Sequence, residues 1–211
     1  MKRIIISIIT LLVIAGGIWA VLPDQQAQEA GHVAPTPAVV EPTYPTPPQV
    51  QPIVDRLGLD KNLVAKINIT VPPDASGCST SNLSTAIACT RGNYIIYPAN
   101  LLLEVAGHPE ILRDTQVEQD RSFGHEYMHY IWNTMSSQDK NALTGSIEMA
   151  YSMQPDKLND RLSGYSLDAE NRLSELHSFI CTEMTDSEIP HPLIDHCRQY
   201  LPNRYWLPSY Y

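Results

Sequence analysis

His125-Glu-Tyr-Met-His129 sets two histidines four positions apart, with a glutamate directly after the first. Residues at that spacing project from one face of an α-helix, so both imidazoles can turn toward a single ion. Imidazole nitrogen suits zinc, which in hydrolytic sites takes three protein ligands and keeps a fourth position for a water whose pKa falls toward about 7. Glu126 lies about 100° around such a helix from His125, too far to be a good third ligand yet within reach of that water. It is the candidate general base, and the chemistry is hydrolysis of a polarised carbonyl, the same carboxyl passing its proton to the leaving group.

A third ligand has to come from elsewhere in the chain. In the longer pattern HExxHxxGxxH a third histidine supplies it, but the corresponding positions hold Trp132 and Met135. A later glutamate is required, and two compete: Glu148, which follows His129 after 18 intervening residues, and Glu175 in RLSELHSFICTE. The first spacing is similar to that of gluzincin aminopeptidases. His177 stands about 200° around a helix from Glu175 and cannot share its ion; between Leu173 and Ile180 it reads as a core histidine. Glu183 is about 12 Å further along the axis and takes a structural role, pairing with Arg204 or with a histidine. His191 and His196 fall in a loop-like, proline-bearing stretch and carry no assigned role. Donors for an oxyanion are available in Tyr151, Tyr165, Tyr200 and Arg204, and sequence does not choose among them.

These groups need elements to hold them. Thr115 and Glu118 have the spacing of a capping box, which predicts a helix that starts there and runs through HEYMH to Met135. Val117, Gly124, Met128, Ile131 and Trp132 recur at mixed spacings, as on a helix buried around much of its circumference. Further helices are predicted over Ser137 to Met153 and Asp168 to Met184, with a turn, a short helix and a loop at Gly164 between them. KINITV (Lys66 to Val71) and NYIIY (Asn93 to Tyr97) read as strands. NYIIY is either an edge strand that pairs with an extended peptide or an ordinary sheet strand.

The whole chain has 211 residues and a formal net charge of −9, with no basic run beyond Lys2-Arg3, which argues against a nucleic-acid partner. Lys2 and Arg3 precede about 19 uncharged, mostly apolar residues from Ile4 to Leu22, long enough to span a bilayer. Residues 1–22 are therefore read as a membrane anchor that places the rest on the extracytoplasmic side; a signal peptide cleaved after Ala20 would instead release it as a secreted protein. Eight of the 17 prolines fall between Pro23 and Pro52, so residues 23–52 read as an extended linker and 53–211 as one folded domain. All four cysteines, Cys78, Cys89, Cys181 and Cys197, lie beyond it. An even count outside the cytoplasm predicts two disulfides, and their clustering suggests Cys78–Cys89 and Cys181–Cys197.

The succession HEYMHYIW, SELHSFICTE and IPHPLIDHCRQYLPNRYW resembles a group of small bacterial metallopeptidase-like proteins of the zincin superfamily. In that group an HExxH helix is followed by a helix carrying Asn/Ser-Glu-Leu-His and Thr-Glu, then by a late Tyr and an Asn/Asp-Arg pair. The resemblance spans about His125 to Trp206 and implies zinc held by His125, His129 and Glu175, as on the Asn-Glu helix of thermolysin-like enzymes. Ser174 stands here where Asn is usual. The expected architecture is α+β, a compact zincin-like domain, mostly helical with a small β-sheet. The expected function is a membrane-anchored zinc peptidase acting on peptide or protein substrates; the alternative is a non-catalytic zincin-fold binding or scaffold module on a stalk.

Overall fold

Pro52 in its first turn and Gly58 just past its end bracket the first helix of the protein, α1 (Gln51–Leu57). Gly58 adopts φ 68°, returning its N–H to the Val54 and Asp55 carbonyls, and an added Cβ there would come within 2.9 Å of the Asn203 side chain. The computed structural model describes residues 41–73, 78, 88–99, 109–163, 165 and 167–207. After α1 come α2 (Lys61–Val64), the strands β1 (Asn68–Thr70), β2 (Cys89–Arg91) and β3 (Tyr94–Ile96), then α3 (Pro109–Thr134), α4 (Ser137–Met153), α5 (Pro155–Leu162), α6 (Ala169–Glu183) and α7 (His191–Tyr200). Short 3-10 turns cover Asp186–Glu188 and Arg204–Trp206. The architecture is α+β, mostly helical with one small sheet.

That sheet has the order β1-β3-β2. β1 runs parallel to β3, with Ile69 opposite Ile95, and β2 runs antiparallel to it, with Thr90 opposite Ile95. β2 and β3 form a hairpin turned by Gly92 and Asn93, Gly92 taking the positive φ of 59° that a tight hairpin asks of its first turn residue. NYIIY is thus the central strand and not an edge: the buried Ile95 is flanked on both sides, and among the described residues the edges are β1 and β2, the CTR segment of β2 being too short and too polar to read as a strand from sequence.

α3 is the spine. Phe123, Tyr127, Met128, Ile131 and Trp132 are all buried and lie around much of its circumference, so it packs against neighbours on several sides at once. Tyr97 meets Phe123 edge-on at 5.5 Å and donates its hydroxyl to the Gln119 carbonyl, fixing the sheet to the helix. Gly124 admits α6: an added Cβ would sit 3.4 Å from the Thr182 methyl, tight against it. The helix starts six residues before Thr115, so Thr115 is not its N-cap, and Glu118 pairs with Arg121 instead of closing a capping box.

α7 closes the far side of α6. His191 and His196 belong to this helix, where Pro192 sits in the first turn and needs no helical N–H donor, so the proline that suggested a loop in fact opens a helix. Cys181–Cys197 links α6 to α7, and Cys78–Cys89 anchors β2, the pairing expected from sequence clustering. Buried Arg204 donates to the carbonyls of Cys181 and Met184 at the end of α6, and also to that of Ile180, which already accepts from the Met184 N–H, and pairs with Asp186. It does not pair with Glu183, which is held by Arg161 at 2.7 Å.

Residues 41–52, grouped by composition with the linker, pack on the domain. Val50 is fully buried, the Tyr44 N–H donates to the Ala65 carbonyl, and Glu41 pairs with Lys66. The compact unit runs from Val40 to Tyr211. Residues 1–22, read as an anchor, lie outside the described residues; among the described residues no helix is long and apolar enough to cross a membrane.

Candidate metal centre

α3 and α6 run antiparallel: His129 meets Ser174 near the start of α6, and His125 stacks against Phe179 one turn later, with centroids 4.4 Å apart. Between them the two helices bring together His125, His129 and Glu175, the group whose ligand atoms converge among the described residues. The His125 and His129 Nε2 atoms are 3.0 Å apart, and Glu175 Oε2 lies 3.3 Å and 3.4 Å from them. Glu148 takes no part. It is exposed on α4, and its carboxylate is ion-paired with Arg172 of α6 at 2.8 Å.

The donor triangle can be compared with what a metal requires. Zinc bonds of about 2.0–2.1 Å in tetrahedral geometry put neighbouring ligand atoms about 3.3–3.4 Å apart. The observed edges of 3.0, 3.3 and 3.4 Å form one face of such a tetrahedron. Glu175 Oε2 is buried and accepts no hydrogen bond from protein, so a carboxylate oxygen aimed at two imidazoles lacks a partner that a cation would supply. Burial pushes the Glu175 carboxyl up, but the two histidines outweigh it and hold its pKa at about 2, so it is charged at neutral pH. Burial works against charge on His129 too, and Glu175 and Glu126 more than offset it, raising the pKa of that ring.

Ser174 fixes one of the rings. Its Oγ lies 2.8 Å from His129 Nδ1, and when Nδ1–H donates to it, the Nε2 lone pair points at the shared position. Glu126 is adjacent, buried but lining the same cleft, and the hydroxyl of Thr90 on β2 lies 2.8 Å from its Oε2. The cleft has a volume of about 380 Å³. One wall is Ala88 with Cys89 and Thr90 of β2; beyond the triad lie Asn133 and Asn171 toward one end and Arg161, Phe179 and Glu183 toward the other.

Of the four candidate oxyanion donors, Tyr165 lines this cleft. Burial, then the Glu175 and Glu126 carboxylates, push its phenol up to about 12, so it stays a neutral donor. Tyr151 bonds Asn159 under the Arg172 guanidinium, Tyr200 packs on His196, and Arg204 is spent on the end of α6. His177 is fully buried against Trp132 and bonds His196 at 2.8 Å, a core histidine on the far side of α6 from Glu175. Sequence reading missed Thr90 and the cleft role of Phe179. Phe179 had a signal, four residues after Glu175 on the same helical stripe, whereas nothing local marks Thr90.

No protein-family model, curated protein or solved structure matches the chain.

Proposed function

We propose that the protein is a zinc-dependent hydrolase of peptide bonds, with His125, His129 and Glu175 as metal ligands and Glu126 as general base. The observation that carries this reading is the triangle of ligand atoms with edges of 3.0 to 3.4 Å, one of them a buried carboxylate oxygen without a hydrogen bond, beside a second glutamate in an open cleft. Zinc bound there would act as a Lewis acid, acidifying water and polarising the scissile carbonyl. The chain's own groups do the rest. Glu126 takes a proton from the attacking water as the C–O bond forms, and delivers it to the amine as the C–N bond breaks. Tyr165 donates to the oxygen on which negative charge develops. β2 is an edge strand along the cleft, so an extended peptide has main-chain groups to pair with there.

The succession of HEYMH, Ser174-Glu175 and the Asn203-Arg204 pair supports a zincin-like fold. The apolar N-terminal run and the two disulfides support a domain held at, or released from, the outer face of a membrane.

Metal analysis and peptide cleavage on three proteins test the proposal. The parent is expected to hold about one zinc after dialysis against a weak chelator and to cleave members of a diverse peptide library. Glu175→Ala loses the metal, and Glu126→Gln keeps it but slows cleavage by roughly 100-fold or more. A zinc-saturated parent that cleaves nothing removes the hydrolase; an E175A protein that keeps its zinc removes the ligand set.

A further inference from the structure

We infer that Thr90 is a positioning residue for Glu126, tying the general base to the sheet; this rests on the hydrolase reading above. The Thr90 Oγ1 lies 2.8 Å from Glu126 Oε2 and 2.8 Å from the main-chain oxygen of the same residue, so its single proton is shared between the side-chain and backbone acceptors of the glutamate. A glutamate has three rotatable side-chain bonds, and a helix restricts only the first of them closely. The contact to Thr90 restricts the others. It commits Oε2 to the hydroxyl and leaves Oε1 as the oxygen for proton exchange in the cleft.

The anchor is itself rigid. Thr90 is β-branched and sits in a strand, where its χ1 is restricted. It stands opposite Ile95, which is fully buried, and the preceding residue, Cys89, is bonded to Cys78. The hydroxyl therefore hangs from a point fixed by the sheet ladder on one side and by a disulfide on the other. A misplacement of about 1 Å in a catalytic group is enough to cost on the order of 100-fold in rate, which is the scale such a tether guards against.

The test uses the full-length zinc-loaded protein and the variants Thr90→Val, which keeps the shape and removes the hydroxyl, and Thr90→Ser, which keeps the hydroxyl. T90V is expected to retain its zinc and its KM to within about twofold and to lose roughly 10–100-fold in kcat, with T90S restoring most of it. In crystals of the metal-free proteins, the Glu126 carboxylate should hold one conformation in the parent and in T90S and spread over several in T90V. Combining T90V with Glu126→Asp, whose shorter carboxyl cannot reach the hydroxyl, should cost little beyond E126D alone. An unchanged kcat, an effect confined to KM, failure of T90S to recover, or a Glu126 that keeps its place in T90V overturns the inference while leaving the hydrolase intact. If T90V does not fold, T90S and the crystal of Thr90→Ala decide in the same way. A parent that cleaves nothing overturns both proposals.

Discussion

Ser174 shows how much a single residue adjacent to a candidate ligand decides. Its hydroxyl meets His129 Nδ1 at 2.8 Å, on the side of the ring away from the shared position, and by accepting from Nδ1–H it would favour the tautomer whose Nε2 is free to bind a metal. Ser174→Ala should leave the fold intact and weaken the proposed zinc binding by roughly 10–100-fold, measured by competition with a chelating dye. An unchanged affinity would mean that the ring is oriented by packing alone. The HEYMH trio was legible in sequence because its members share one helix, where spacing dictates direction. Choosing Glu175 over Glu148 was not a matter of spacing, since both lie on helices downstream of His129; what separates them is that α6 sets Glu175 against the α3 histidines while Glu148 on α4 pairs with Arg172. Thr90 was illegible, because its bond to Glu126 spans 36 residues and joins a strand to a helix.

At the scale of elements, α6 packs against α3, α4 and α5 and is tied to α7. On one face it carries Glu175 to the histidines of α3; on the other it meets α7 through Cys181–Cys197 and the His177–His196 hydrogen bond. Burial drives both imidazoles toward neutrality, His177 well below its ordinary value and His196 to about 4, with Asp139 from α4 opposing the shift at His196. A neutral pair can share one N–H between two nitrogens; a doubly protonated pair cannot. Because the folded pKa of His196 is depressed, the unfolded chain takes up the proton first, and the associated stability is present above about pH 6.5 and is lost as pH falls toward 4. The loss is on the order of 3 kcal/mol. Urea unfolding of the metal-free protein from pH 7 to pH 4 should show it, and His196→Gln should flatten the slope in that window. An equally steep slope in the variant would assign the acid sensitivity to other groups.

For the molecule as a whole, the folded unit begins earlier than composition suggests. Prolines dominate up to Pro52, yet Val50 is fully buried and Tyr44 bonds the backbone of Ala65, so the last part of the proline-rich stretch is a strap on the domain. A protein beginning at Ile53 should be less stable than one beginning at Glu41 by about 2–3 kcal/mol, mainly from Val50, in denaturant unfolding. Equal stability would show that the strap contributes no net energy. Reducing both disulfides should lower stability further; Cys181–Cys197 closes a loop of 16 residues, worth about 3 kcal/mol.

The sequence by itself determined what short-range periodicity can carry: the HEYMH face, helices over Ser137 to Met153 and, to within one residue at each end, Asp168 to Met184, a strand at NYIIY and two disulfides between cysteines close in the chain. Tertiary structure decided which strand lies at the edge, which glutamate meets the histidines, which arginine Glu183 pairs with and what holds the candidate base. Each of those is a contact between elements far apart in sequence, and neither helical nor strand periodicity encodes the direction in which the next element returns.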